Sequence, residues 1–536
     1  MPSILLATLN AKYIHASLGL RYLMANMGDL KAHTALREFT IARKPQEVVD
    51  ELLASLGEPA PDNVQIIGFG VYIWNVTQTC EVVRLLKQQR PGLKIILGGP
   101  EVSHEVDQQN IVRLADFVIT GWGDVSFPKL CRALLHGPQP LMKIIVGEQP
   151  PLEQITLPYA EYSDADLAHR LLYVEASRGC PFKCEFCLSS LDKTAWAFDL
   201  TAFLAELTTL YERGAHNFKF VDRTFNLKID ASVRILQFFL DRLPQGSDEA
   251  QPERVGGLFV HFEVIPDHLP DRLKDMIAKF PPGVLQFEVG IQSFNVDVQQ
   301  RISRRQDNDK TTANLHWLVN ESNAHLHTDL IFGLPGETLA SFALGFDRLH
   351  ALKPHEIQLG ILKRLRGTPI ARHTLEFGMV YDALPPYTVQ QTGAVSAADM
   401  QRFTRLARYW DLVANSGRFA RTLALLLQGK SAFQAFLDFA DWLWQSTEMT
   451  SRLTPEALVD ALFEHLSAHR HLPASLVRQT LLADYVASGA RANPKALQGL
   501  LPRSVPQAPK AGALTVRQNR HSETAPVAAC AASISG

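Results

Sequence analysis

Cysteine is scarce in this sequence, six in 536 residues, too few for a disulfide framework to hold a chain of this length together. Neither charge is in excess. Lys plus Arg number 53 against 55 Asp plus Glu, a net of −2, so bulk electrostatics give no reason to bind nucleic acid or an anionic membrane. No apolar run approaches the roughly 20 residues that cross a bilayer, and the N-terminus has neither a basic region nor a long apolar segment. The expectation is a cytoplasmic protein with no membrane and no nucleic-acid partner. What is abundant is apolar surface: hydrophobic residues make up 46%, with 28 Phe and 7 Trp, which excludes disorder for most of the length. At roughly 150 residues per domain, three to four domains are expected.

The first 140 residues alternate short β-like runs with helical stretches, the signature of a doubly wound parallel α/β sheet. Strands are expected at 4–9, 34–40, 64–72, 94–97 and 117–120, with helices near 16–28, 45–56, 77–89, 104–114 and 126–136. Ligands of such sheets bind outside the carboxyl ends of the strands. Those ends carry Asn10 and Tyr13; Tyr72, Trp74 and Asn75; Gly98 and Gly99; and Gly121, Trp122 and Gly123. Glycines allow a ligand close to the backbone, and Trp or Tyr offers a flat apolar platform. A large, planar, partly apolar ligand suits this edge. The alternative is that the glycines are turn residues and the aromatics cap the sheet. No G-x-G-x-x-G follows the first strand, so a dinucleotide fits poorly.

Proline-rich 141–170 reads as a linker. Six apolar runs follow, at 172–176, 217–221, 258–264, 284–291, 325–332 and 356–361, with helical stretches at 200–213, 231–243, 270–279 and 339–352. Strand and helix repeating six times within 171–375 predict a partial parallel (β/α)6 barrel, whose chemistry sits at the carboxyl ends of its strands. From about residue 388 the pattern is helix only, and a helical domain is expected over 385–500. Its stripe from Phe433 to Trp444 reads as core rather than as a cofactor box. The last segment, 504–536, rich in Ala, Pro, Ser and Gln, is expected to be disordered, and Cys530 within it is incidental.

Half of the cysteines sit within eight residues. Ser177-Arg-Gly-Cys180-Pro-Phe-Lys-Cys184-Glu-Phe-Cys187 follows the first barrel strand. Three thiolates at this spacing can wrap one iron–sulfur cube and leave one iron open. A structural zinc site wants a fourth Cys or His, and the next histidine downstream is His216. Cys80 and Cys131 fall within helical runs and read as small buried residues.

Cys-x3-Cys-x2-Cys with Phe186 before the last cysteine resembles the cluster motif of radical S-adenosylmethionine (SAM) enzymes. The N-terminal unit resembles the cobalamin (B12)-binding domain fused ahead of such barrels, and the helical part resembles the C-terminal domain of an uncharacterised, DUF4080-like branch. The resemblance implies three cofactors, a [4Fe–4S] cluster on Cys180, Cys184 and Cys187, SAM and cobalamin. It also implies reductive cleavage of SAM to a 5′-deoxyadenosyl radical. An external electron donor such as flavodoxin or ferredoxin would supply the reducing equivalent. By the same resemblance, Asp222 and Thr224 stand where the family contacts the SAM amino group, often with Gly-Gly-Glu, from which this sequence departs. Glu263, Gln292, Arg304 and Asp329 resemble the positions that hold the ribose hydroxyls and the SAM carboxylate. Many B12 domains supply a cobalt-ligating histidine from Asp-x-His-x-x-Gly. That motif is absent, and His15 is expected only to lie near the corrin.

The activity these resemblances imply is methylation of an unactivated carbon or a phosphorus of an unknown small-molecule or peptide substrate. Alternatives are a radical rearrangement or cyclisation without methyl transfer, and a non-catalytic cobalamin-binding sensor module. Lys363, Arg364 and Arg366 after the sixth barrel strand are candidates to meet an acidic group, or else form a solvated loop.

Overall fold

The structure is a computed structural model that describes residues 2–59, 64–192, 194–243, 257–429, 431–490, 492–501 and 520. The expected disorder over 504–536 and Cys530 lie outside the described residues, Arg520 apart. Six parallel strands form the N-terminal sheet: β1 (Ile4–Asn10), β2 (Thr34–Thr40), β3 (Ile66–Gly70), β4 (Lys94–Gly98), β5 (Phe117–Thr120) and β6 (Ile144–Val146), in the order β2-β1-β3-β4-β5-β6. Every residue of β1 is buried, as a central strand covered by helices on both faces requires. The two faces carry separate cores, one around Val48, Val82 and Leu86, the other around Leu20, Phe127 and Leu130. The sixth strand falls inside the segment expected to be a linker. Its three residues are too short a run to stand out among prolines, and only pairing with β5 defines it.

The second sheet runs β14-β13-β12-β11-β10-β7, with β7 (Leu172–Val174), β10 (Asn217–Phe220), β11 (Phe259–Val264), β12 (Leu285–Gln292), β13 (His325–Phe332) and β14 (Glu356–Ile361) all parallel. It is the partial barrel. A small antiparallel pair, β8 (Ser177–Gly179) and β9 (Ala195–Ala197), flanks the cysteine loop. Along β12 buried and half-buried residues alternate strictly, so Gln286, Glu288, Gly290 and Gln292 share one face. The helix Asn308–Glu321 between β12 and β13 has no counterpart among the expected elements, because its polar run NDKTTANLHWLVNE carries a weak apolar stripe.

After β14 the chain is not helix only: β15 (Val380–Tyr381) and β16 (Val389–Gln391) pair first. Their strands are two and three residues long, below what alternation can reveal. The helices Ala397–Val413 and Ala432–Thr447 then start from Ser396 and Ser431, whose hydroxyls accept from Asp399 and Gln434 backbone N–H groups. Phe433, Phe436 and Phe439 are buried, and Phe403 stacks on Phe332 of the barrel at 4.1 Å. Barrel and helical domain thus share one core. Asn415 completes the seam: its amide donates to Ile357 O and accepts from Ile357 N, each at 3.0 Å, satisfying edge-strand groups that would otherwise be open. Among the described residues no helix is long and apolar enough to cross a membrane.

Candidate active site

Cys180, Cys184 and Cys187 converge on one cavity of about 260 Å³ with Thr224, Glu263, Gln292, Arg304 and Asp329. The cysteines come from the loop after β8, and the polar residues come from the carboxyl ends of β10 to β13 and the turn at 304. Burial pushes the Cys180 thiol up to about 11 and also raises that of Cys184, against the pull of Arg304. Thiols raised in this way become thiolates only beside a compensating positive charge, which bound iron would supply. Arg304 Nη1 lies 3.6 Å from Cys184 Sγ. The same guanidinium donates to Gly290 O and, at 3.0 Å, to Gln306, so its fork is held in place beside the cysteine loop.

Gln292 closes β12 with φ 69°, a left-handed backbone rare outside glycine and typical of residues held for a purpose. Gln292 Oε1 and Asp329 Oδ1 are buried and accept no hydrogen bond among the described residues. Such orphans are costly unless a ligand donates to them. Burial, reinforced by Glu288 and Glu263, raises the Asp329 carboxyl well above its ordinary range. Two buried acceptors and a fixed guanidinium within reach of three thiols fit a ligand that carries hydroxyls and a carboxylate, as SAM does.

Asp222 does not face this cavity. It is fully buried beneath the cysteine loop, where its carboxylate accepts from Ala176 N at 2.9 Å and Ser177 Oγ at 2.6 Å. Its pKa is pushed up to about 7 by burial. It anchors the loop, and the sequence could not separate a residue at the strand end from one tucked under it. Glu263 lines the cavity but is already engaged by Arg223 Nη1, at 3.0 and 3.1 Å. The reading of the residues assigned no role to Arg223, although it sits between Asp222 and Thr224.

Arg223 also lines a second cavity, of about 420 Å³, between the N-terminal sheet and the cysteine loop. Tyr72, Gly98, Gly99, Gly121, Trp122 and Gly123 line it. Gly99 has φ 106°, and a Cβ there would stand 2.5 Å from Val71 O, so no other residue fits. A Cβ at Gly121 would meet nothing within 4 Å: its absence leaves open floor. That bare backbone fits a broad flat ring such as a corrin.

Four residues of the same sheet edge lie elsewhere. Asn75 is fully buried and ties the sheet together, its amide donating to Leu9 O and Gly70 O. Asn10 donates to His15 O and Glu38. Tyr13 lies under the Arg170 guanidinium, and Trp74 stacks on Tyr72 at 4.4 Å without reaching the cavity. His15 is not beside this cavity either: its Nδ1 meets the Tyr173 hydroxyl of β7 at 2.8 Å, and burial lowers its pKa. Register along the strand placed these side chains at the correct edge, but the side-chain packing decided which ones turn outward.

Sequence reasoning missed Arg178. Its guanidinium bonds Asp124 of the N-terminal domain at 2.9 Å and Glu175 at 2.7 Å, and stacks over Tyr22 and Trp122. It lines the glycine-floored cavity two residues before Cys180, and an arginine set beside a cysteine cluster was the available signal. Arg364 and Arg366 do meet acids, those of this chain: Glu105 and Glu101.

The family model described as "Radical SAM superfamily" matches residues 174–344, "B12 binding domain" matches 4–131, and "Protein of unknown function (DUF4080)" matches 375–525. The chain is 23% identical over 338 residues to 2-(S-pantetheinyl)-carbapenam-3-carboxylate methyltransferase of Streptantibioticus cattleyicolor, covering 58% of this chain and 47% of that one. It is 23% identical over 350 residues to the cobalamin-dependent radical SAM methyltransferase TokK of Streptomyces tokunonensis, covering 59% and 49%. The chain thus spans about half the length of these curated relatives. The solved structure of the cobalamin-dependent S-adenosylmethionine radical enzyme OxsB shares its fold, with a TM-score of 0.58 at 13% identity over 98% of this chain and 83% of that one. The chain thus carries, in this order, a B12-binding domain, a radical SAM domain and a DUF4080 domain.

Proposed function

We propose that the chain is a cobalamin-dependent radical SAM methyltransferase acting on an unactivated carbon or a phosphorus. The observation that carries the reading is the single cavity that gathers Cys180, Cys184, Cys187, Arg304, Gln292 and Asp329, joined through Arg223 to the glycine-lined cavity of the N-terminal sheet. When bound, a [4Fe–4S] cluster supplies the electron that breaks a carbon–sulfur bond of SAM, and cobalamin supplies a carrier for its methyl group.

The residues have separable tasks. Cys180, Cys184 and Cys187 hold iron and, being three, leave a coordination position for a ligand. Arg304 presents a pre-set fork to a carboxylate, and Gln292 Oε1 and Asp329 Oδ1 accept from hydroxyls. Thr224 lines the same cavity, while Asp222 steadies the loop from below. Glu263 and Arg223 hold each other at the wall between the cavities. Gly98, Gly99, Gly121 and Gly123 let a flat ring approach the backbone, with Tyr72 and Trp122 at its sides. On this reading residues 1–140 carry cobalamin, 171–375 carry the cluster and SAM, and 385–500 cover the barrel edge. A one-electron donor such as flavodoxin or ferredoxin supplies the reductant, and an oxygen-sensitive cluster belongs in the cytoplasm.

The test is reconstitution without air, with iron, sulfide, cobalamin and methyl-labelled SAM under strong reductant. The protein takes up about four irons, and the Cys180, Cys184 and Cys187 to Ala variants fail to do so. Labelled methyl reaches cobalamin in the intact protein. Cleavage of SAM to 5′-deoxyadenosine with no methyl transfer would replace this reading with a rearrangement or cyclisation. Cobalamin binding without iron uptake would leave only a sensor module.

A further inference from the structure

A third cavity, of about 280 Å³, adjoins the cysteine cavity and shares Phe186, Gln292 and Asp329 with it. We infer that it receives a small-molecule substrate with an apolar body and one anionic group, and that Lys363 recognises the anion. This rests on the proposed function of the neighbouring site. The volume lies just below the usual range of ligand pockets (about 300–1,000 Å³), which suits a small molecule better than a peptide.

The rest of the lining comes from the carboxyl ends of β13 and β14 and the run after β14, the usual place for substrate in a βα barrel. Ile331, Ile361 and Leu365 supply apolar surface, and Gln358 and Lys363 supply polar groups. Lys363 belongs to the run Lys363-Arg364-Leu365-Arg366, and its neighbours are already occupied. Arg364 bonds Glu105 at 2.8 and 3.3 Å. Arg366 bonds Glu101 at 2.9 Å and Glu105 at 3.1 Å. Those two carboxylates are thereby matched by two guanidiniums, and among the described residues no carboxylate forms an ion pair with Lys363. The Lys363 backbone is held by its bridge to Thr388, so its exposed, flexible side chain reaches the cavity from a fixed point on the chain.

The two ends set the orientation. Lys363 is the one cation among the residues lining this cavity, and the end shared with the cysteine cavity carries Gln292 and Asp329 instead. An anionic group therefore sits at Lys363, and the apolar body extends past Phe186 toward the cysteine cavity, where the reacting atom is needed.

The experiment uses the full-length, anaerobically reconstituted protein with the fluorescent anion 8-anilinonaphthalene-1-sulfonate as reporter. Decanoate, decyl phosphate and decanol serve as competitors below their micelle concentrations. Either anion displaces the reporter about fivefold better than decanol, the range of one partly exposed ion pair, and more so at low salt. Whichever anion is stronger assigns carboxylate or phosphate. Lys363→Gln abolishes the preference, Lys363→Arg keeps it, and Ile361→Trp weakens all three competitors by filling the cavity. Iron content checks that each variant is folded. Decanol matching both anions, or a preference that survives Lys363→Gln, would overturn the inference. Failure of SAM cleavage alongside intact anion selectivity would instead count against the proposed function.

Discussion

Arg304 and Asp222 show how much hangs on single side chains. Arg304 is fixed by Gly290 O and Gln306 beside Cys184, so a lysine there keeps the charge but loses the planar fork. Arg304→Lys is expected to raise the SAM dissociation constant about tenfold with iron content unchanged, measured by equilibrium dialysis against the reconstituted protein. Asp222 makes a pH prediction. Its folded-state pKa is raised to about 7 from an ordinary 3.8, so the folded protein binds the extra proton. The stability tied to that proton is fully present below about pH 4 and is lost as pH rises through 7, an upper bound of roughly 4 kcal/mol. Melting curves of the wild type should fall relative to Asp222→Asn across that interval. Parallel curves would mean that the carboxyl is ionised throughout.

Among the elements, the cysteine loop has its conformation set from outside itself. Glu185, one residue after Cys184, is buried, and its carboxylate accepts from Ser303 Oγ at 2.6 Å, meets His373 Nε2 at 2.8 Å and pairs with Arg372. Its backbone N–H donates to Ile302 O, and its carbonyl accepts from Ile370 N, each at 3.0 Å. One side chain thus ties the loop both to the turn that carries Arg304 and to the segment leading into the helical domain. Glu185→Ala leaves buried His373 and half-buried Ser303 without this acceptor, at a cost of about 1–3 kcal/mol. The expected outcome is a cluster that bleaches several-fold faster under a mild chelator, with Glu185→Gln partly restoring its lifetime. Equal lifetimes in all three proteins would make Glu185 a bystander. Nothing in Cys-Glu-Phe-Cys announces this role, since both partners on the far side lie more than 180 residues away.

At the scale of the whole molecule, three domains are locked around the two principal cavities by buried charge. Glu101 accepts from Tyr387 Oη at 2.6 Å as well as from Arg366, and Gly367 passes so close to the His104 ring that a Cβ would stand 2.3 Å from it. With the Asp124–Arg178 pair, these contacts fix the N-terminal sheet over the barrel mouth. Removing one partner of a buried pair costs on the order of 3 kcal/mol. Arg366→Ala should therefore speed proteolytic release of the N-terminal domain and weaken cobalamin retention several-fold while iron uptake stays normal. Unchanged proteolysis would show that the Arg178 contact suffices.

By itself the sequence determined the alternation of strands and helices, the parallel sheets it demands, and the three cysteines. Those depend on local periodicity and spacing, which survive without any knowledge of distant contacts. The run at 34–40, for example, is strand β2 and the run at 325–332 is strand β13, end to end. It could not separate Tyr72, which lines the glycine-floored cavity, from Asn75, which is consumed in holding the sheet. Nor could it tell Gln292 from Asp222, both at strand ends, one facing the cavity and the other sealed beneath the loop. Only the tertiary structure decided those assignments, because which side chain is free for a ligand depends on partners brought together from opposite ends of the chain.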